Sequence, residues 1–231
     1  MLDLGLTVVV ILALAPVLVL IAVAIKIDSP GPVLFRCPRV GYKGRTFYML
    51  KFRKMLDGAR GAPLTSSDDA RFTRIGRFLA GAKLDELPQL WNILKGEMTF
   101  VGPRPEDAVF VQLYEAEYRE ILEVRPGITG LSQLAFARES VLLARPDSLS
   151  YYSERLLPLK VSMDKLYAGR KSLLLDLRIV LWTVVAVFGH TDVAVHRETA
   201  ALSRRLARNA EGSARSRLGS EVTPVTQGLE A

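Results

Sequence analysis

An aspartate and a glutamate stand side by side at positions 85 and 86, inside the run AKLDELPQLWNILKGEMTFVGPRP from Ala82 to Pro105. Leu84 to Pro88 has the composition of a helix's first turn. Acidic side chains are favoured there by the helix dipole, and proline costs little where its missing N–H would have no partner. Leu87, Leu90, Trp91 and Leu94 continue at helical spacing and Gly96 ends the run. Dipole complementation alone accounts for an acidic pair at such a position. Here the pair has company: Arg104 lies between Pro103 and Pro105, and Arg125 opens a second Pro/Gly-fixed loop, Arg125-Pro126-Gly127-Ile128-Thr129-Gly130. A carboxylate near fixed guanidiniums suits attack on a phosphoanhydride. Attacking and attacked groups are both anionic, and two like charges about 4 Å apart cost about 4 kcal/mol at an effective dielectric of about 20. Fixed arginines and a divalent cation offset that repulsion, and the cation also polarises the phosphoryl oxygens.

The elements around this stretch are basic. The chain of 231 residues has a net charge of +7, and Lys26 to Arg104 holds 15 Lys or Arg against 7 Asp or Glu. Such a block suits phosphates, nucleic acid or anionic lipid. It contains no recognised nucleic-acid module, which sets nucleic acid aside. Val33 to Arg36 and Thr46 to Phe52 read as strands of a hairpin around Val40–Arg45, with Arg36, Arg39, Lys51, Arg53 and Lys54 on or beside it. A solvated, charged sheet edge has the same look. Gly58 to Asp69 is a polar loop that does not match the G-x-x-x-x-G-K-[ST] phosphate loop, and no dinucleotide fingerprint occurs elsewhere. Arg71, Arg74 and Arg77 alternate with Phe72, Ile75, Phe78 and Leu79, which predicts a helix with an arginine face, lying in a headgroup zone or packed on the domain. One cysteine, Cys37, excludes an internal disulfide, and two histidines give no zinc spacing.

Leu4 to Ile25 is a run of 22 residues without a charge. As a helix it measures about 33 Å, enough for a hydrocarbon core of about 30 Å. Pro16 sits near its centre, where it removes a backbone hydrogen bond and favours a kink. A kinked span and a re-entrant hairpin broken at Pro16 are both compatible with this pattern.

The expected organisation is a membrane-inserted segment over 1–27, a catalytic domain over 28–190, and an amphipathic helix with a disordered tail over 191–231. The expected fold class is α/β: a small antiparallel sheet surrounded by amphipathic helices, with the N-terminal helix-break-helix. Glu106 to Glu123 reads as one helix with Phe110, Tyr114, Tyr118, Ile121 and Leu122 on one face. Leu131 to Ala137 reads as irregular or a short strand, and Ser140 to Lys165 as helix interrupted near Pro146 and Pro158. An apolar helix runs from Asp176 to Phe188, and Val195, Thr199, Leu202 and Leu206 form a weak amphipathic pattern. From Glu211 the composition is that of a disordered tail.

Three ordered runs, SPGPVLFRCPRVGYKGRTFYMLKFRKM, KLDELPQLWNILKGEMTFVGPRPE and VRPGITG, resemble the bacterial sugar transferase family. These are the monotopic polyprenyl-phosphate phosphoglycosyl transferases, and the likeness extends from about Asp3 to His190. It implies transfer of a sugar-1-phosphate from a UDP-sugar to polyprenyl (undecaprenyl) phosphate, as the first membrane step of polysaccharide or glycoconjugate assembly. It implies Asp85 as the nucleophile of a phospho-aspartyl intermediate and as a ligand of Mg²⁺, with Glu86 its partner. Lys51, Arg53, Arg77, Arg104 and Arg125 become candidate phosphate or substrate contacts. The same resemblance implies a re-entrant segment turned at Pro16, on the cytoplasmic face of the bacterial inner membrane, and the compact form of the family. Four positions depart from the pattern. Cys37 stands in place of a usual glutamine, and Ala15 and Lys83 in place of frequent serines; no basic residue precedes Asp3. Two rival readings keep different chemistry: a non-catalytic basic lipid-binding surface, and a metal-dependent phosphohydrolase.

Overall fold

The computed structural model describes residues 2–61, 64–189, 192–196 and 199–204. Helix α1 (Leu2–Asp28) is long and apolar enough to cross a membrane, and it turns Leu12, Val19 and Leu20 outward. Its other side is seated on the protein. Val10, Ile11 and Leu14 pack against Phe47, Met49 and Leu90, while Leu18, Ile21 and Ile25 pack with Phe52 and Leu79. The helix runs through Pro16 without the expected break. Leu14 and Leu18, on either side of the proline, are both held by the domain, and this packing keeps the two halves in one helix. Both ends are also tied down: Thr99 donates to the Asp3 carboxylate at 2.6 Å, and the Ile75 N–H donates to Asp28 at 3.0 Å.

Strands β1 (Leu34–Val40) and β2 (Thr46–Phe52) form the expected antiparallel hairpin, with Phe35 opposite Lys51. Helix α2 (Arg74–Gly81) begins at Thr73, whose hydroxyl accepts from the Gly76 N–H at 2.9 Å. The arginine face is therefore shorter than its spacing predicts: Arg71 precedes the cap and is fastened to Asp69. A single 3₁₀ turn (Leu84–Glu86) leads to α3 (Gln89–Leu94), and Gly96 ends that run at φ +74.

Strand β3 (Thr99–Val101) is followed by α4 (Ala108–Leu113) and α5 (Glu115–Ile121), two helices where one was expected, because the backbone leaves helical geometry at Tyr114. Strand β4 (Gly127–Thr129) pairs with β3 in parallel, so the strands do not make one small antiparallel sheet. Leu131–Ala135 is a short helix, α6, rather than a strand; the fully buried Leu131 and nearly buried Leu134 face one core. Next come α7 (Glu139–Leu142), α8 (Ser148–Tyr151), a π-helical turn (Tyr152–Leu156) and α9 (Leu157–Arg170). Pro146 marks a real interruption. Pro158 does not break the helix: α9 continues from the π-helical turn without a gap, and that irregular turn lies just before the proline. Helix α10 (Leu173–Gly189) faces Leu175 and Ile179 inward and exposes Leu177, Leu181 and Val184. Strands β5 (Val193–Val195) and β6 (Leu202–Arg204) form an antiparallel hairpin in place of the expected amphipathic helix. Val193, Val195 and Leu202 pack against the core beside α10, and alternation, not helical spacing, decides their faces. Leu206 and the tail from Glu211 lie outside the described residues.

Candidate active site

The turn bearing Asp85 and Glu86 is entered through Lys83, a non-glycine residue in the left-handed region at φ +58. That backbone turns the two neighbouring carboxylates to different partners. Glu86 accepts from Lys51 at 3.1 Å and from Arg104 at 3.2 Å. Asp85, almost fully buried, has the Lys54 ammonium 3.7 Å from Oδ2.

Each partner is placed by backbone packing. Asn92 of α3 welds the turn to β2, accepting from the Leu50 N–H at 3.0 Å and donating to the Tyr48 carbonyl at 2.8 Å. Lys51 is thereby brought to Glu86. The Lys54 carbonyl accepts from the Thr73 N–H at 3.1 Å, and Gly76 lies so close to it that a Cβ would not fit. Arg104 follows β3, whose junction with β4 is clamped by Gly102 N–H to Thr129 (2.9 Å) and Gly127 N–H to Pro103 (2.9 Å). Behind it, Glu106 accepts from Tyr152 at 2.7 Å and from Lys160 at 2.9 Å, a buried network joining this loop to α9. Burial alone would push Glu86 up, but Lys51, Arg104 and Lys83 outweigh it and hold the carboxyl well below the usual carboxylate range. Burial lowers the Lys54 ammonium, with Asp85 opposing.

Two cavities meet at this point. One, of about 420 Å³, is an apolar groove between α1 and α10, lined by Val10, Leu14, Leu90, Phe100 and Val187. The other, of about 360 Å³, is a polar cleft lined by Lys51, Lys54, Phe72, Arg77 and Asp85. Lys83, Glu86 and Arg104 line both, whereas Asp85 lines only the polar cleft.

The family model for the bacterial sugar transferase matches residues 1–190. This chain belongs to the bacterial sugar transferase family. It is similar to a UDP-glucose:undecaprenyl-phosphate glucose-1-phosphate transferase of Xanthomonas campestris pv. campestris, 41% identical over 171 residues, covering 71% of this chain and 33% of that protein. A Caulobacter vibrioides protein of the same name is 42% identical over 168 residues, covering 69% of this chain and 58% of its own length. The exopolysaccharide production protein PSS of Rhizobium leguminosarum bv. phaseoli is 38% identical over 171 residues, covering 70% of this chain and 80% of its own. The chain thus spans less than two thirds of the length of the first two relatives.

The structure brings Asp85, Glu86, Lys51 and Arg104 together. Arg77 borders the polar cleft with its guanidinium 5.9 Å from the Phe72 ring centroid. Two other candidates are placed elsewhere. Arg53 is buried and donates to the Ser29 carbonyl at 2.8 Å and to that of Pro30. The Arg125 guanidinium lies 5.7 Å from the Tyr42 ring centroid and lines neither cavity. Lys54 was not among the site candidates, since a lysine beside a hairpin reads as a solvated charge. Lys160 was missed for the same reason, on a helix with an ordinary amphipathic pattern.

Among the described residues no group of three or more His, Cys, Asp or Glu is placed to hold a metal. Magnesium commonly takes one or two carboxylates together with substrate phosphates and water, so such a cage is not required. Glu86 is engaged by two cations, whereas Asp85 faces the polar cleft with its pair at 3.7 Å, and Asp85 therefore fits a shared, substrate-completed site.

Proposed function

We propose that this sugar transferase moves a sugar-1-phosphate from a UDP-sugar to undecaprenyl phosphate through a phospho-aspartyl intermediate on Asp85. The observation that carries the reading is the meeting of a polar cleft and an apolar groove at Glu86 and Arg104, with Asp85 on the polar side. A water-soluble diphosphate and an isoprenoid phosphate need environments of opposite character, and a covalent intermediate lets them use one reactive centre in turn.

In the first half-reaction an Asp85 carboxylate oxygen attacks the sugar-bearing phosphorus. The O–P bond forms as the bond to the bridging oxygen breaks, and UMP leaves with the electron pair. In the second, a phosphate oxygen of the acceptor attacks the same phosphorus and Asp85 is regenerated as a carboxylate. Both attacking groups are already anionic, so no proton must be removed. The work of the site is charge compensation and alignment. Arg77 faces the polar cleft, and Arg104 with Lys83 faces the point where the acceptor phosphate would reach it from the groove. Glu86 fixes Lys51 and Arg104 in place. Mg²⁺ bound by Asp85 and the donor diphosphate would supply further neutralisation of phosphate charge.

Placement at a membrane is supported by the outward apolar faces of α1 and α10, which flank the groove. That Asp3 and Asp28, near the two ends of α1, both bond to one domain supports a re-entrant course with the helix continuous through Pro16, and the same reading puts the domain on the cytoplasmic face. With Cys37→Ser as background, a cysteine at position 2 should then react with an impermeant reagent from the cytoplasmic side only; labelling from the other side would establish a span.

The reaction is tested with the purified chain, Mg²⁺, undecaprenyl phosphate and a panel of UDP-sugars, scored for UMP and lipid product. Asp85→Asn should lose turnover by on the order of 10³-fold or more and form no adduct. UMP release that proceeds to completion without acceptor would instead identify a phosphohydrolase.

A further inference from the structure

The two carboxylates of the turn have separate cations. Glu86 is held by Lys51 and Arg104 within hydrogen-bonding distance, whereas the ammonium of Lys54 stands off Asp85 by 3.7 Å. That separation exceeds a direct hydrogen bond, so Lys54 neutralises Asp85 without locking either of its oxygens. Its side chain is partly buried, it borders the polar cleft, and its Nζ lies 5.6 Å from the Phe72 ring centroid. The backbone at Lys54 is anchored from behind by the Thr73 N–H, the close approach of Gly76 and the Met55–Phe72 bridge. A flexible four-carbon stem on a fixed backbone lets the charge move a short way along the cleft.

We propose that Lys54 is a further catalytic residue, the cation that follows the transferring phosphoryl group on to and off Asp85. The inference rests on the phospho-aspartyl reading above. In the resting site its ammonium faces Asp85. As the Asp85 O–P bond forms and the bond from phosphorus to UMP breaks, negative charge grows on the non-bridging phosphoryl oxygens, and the ammonium moves to them. It returns to the carboxylate when the acceptor displaces phosphorus from Asp85. Lys54 keeps its proton throughout, and UMP carries off the electron pair. Lys51 and Arg104 are already bonded to Glu86, whereas the Lys54 ammonium is paired with Asp85, which places it at the nucleophile itself.

The test is pre-steady-state UMP release by the full chain with Mg²⁺ and UDP-glucose (or whichever UDP-sugar the panel selects), without acceptor, together with mass-spectrometric detection of the adduct. Lys54→Met should slow the burst by about 10²-fold, the usual effect of removing one preorganised charge-stabilising group, with the melting temperature little changed. Lys54→Arg should recover part of the rate. Lys54→Ala should be accelerated by added ethylamine in a saturable way, a rescue that loss of packing alone would not show. A Lys54→Met burst within about threefold of wild type would overturn the proposal, as would an Ala variant as slow as Met and unmoved by amine. Asp85→Asn, run alongside, separates the two levels. An adduct in that variant overturns the phospho-aspartyl reading itself, whereas its absence with a normal Lys54→Met burst overturns only the role of Lys54.

Discussion

Glu86 and Arg104 meet at 3.2 Å where the polar cleft runs into the apolar groove, and Lys51 closes on the same Glu86 oxygen from β2 at 3.1 Å. One carboxylate thus joins the hairpin, the turn bearing Asp85 and the loop after β3. The three side chains are only 13% to 26% exposed, so removing Glu86 would leave two cations without their shared counter-ion in a poorly solvated place.

Glu86→Gln should therefore destabilise the protein by about 3 kcal/mol, the lower part of the range for breaking a buried pair from one side. The depressed Glu86 carboxyl contributes stability above the ordinary carboxylate range, and this is lost as pH falls through its lower folded value. Denaturant titrations should show the gap between wild type and variant at neutral pH and its closure in acid. A constant gap would mean that charge is not the cause.

Asp164 should give the opposite slope. Burial pushes its carboxyl up to about 7, against hydrogen bonds from Ser132 and the Arg104 N–H. A carboxyl raised on folding penalises the native state as it ionises. The penalty is absent below the unfolded value, grows between that value and about 7, and is full above it. Wild-type stability should fall on raising the pH from 5 to 8, by on the order of 3 kcal/mol at most. Asp164→Asn should flatten that dependence and melt higher than wild type at pH 8, measured by calorimetry across the range.

Gly127 shows how tightly the Arg104 loop is built. A Cβ there would lie 2.6 Å from the Thr129 carbonyl oxygen and closer still to the Gly102 nitrogen, both backbone atoms that cannot rotate away. Gly127→Ala should cost about 1–3 kcal/mol or more as an overpacked site and lower activity through displacement of Arg104. Gly81→Ala, with nothing within 4 Å of its Cβ, should be neutral or slightly stabilising. Paired melts and assays of the two variants check this, and equal effects would contradict the steric account.

What could be read from the sequence divides along physical lines. The apolar run, the hairpin and the acidic turn are local patterns and formed in the expected places, although β1 extends on to Val40 and the acidic pair sits in a separate 3₁₀ turn before α3. The parallel pairing of β3 with β4 joins segments far apart in sequence, and no local pattern announces such a pair. Leu131–Ala135 and the β5–β6 hairpin were misread because a few apolar residues fit either period, and contacts with α9 and α10 decide between them. The site shows the same division. Asp85, Glu86 and Arg104 belong to compact motifs, whereas Lys54 and Lys160 acquire meaning only from partners 31 and 54 residues away. A charge count cannot tell an anchored arginine from a free one, and Arg53 is the clearest instance.

Arg53 was a candidate phosphate contact, and its surroundings lead to a different expectation. Its guanidinium donates to the Ser29 and Pro30 carbonyls just beyond α1, and a Cβ at Gly31 would collide with it. Nearby, Lys26 donates to the Gly31 carbonyl at 2.8 Å and Asp28 accepts from the Ile75 N–H, so three polar side chains fasten the exit of α1. Arg53→Met should loosen this junction by about 1.5–3 kcal/mol, the value of a charge-assisted hydrogen bond left unmade. The donor KM should stay within about twofold, since the side chain borders neither of the cavities that meet at Asp85 and Glu86. Arg53→Lys should recover only part of the stability, because an ammonium cannot span two carbonyls as a planar fork does. Thermal melts in detergent together with donor saturation curves separate the roles. A large rise in KM at unchanged stability would return Arg53 to the substrate.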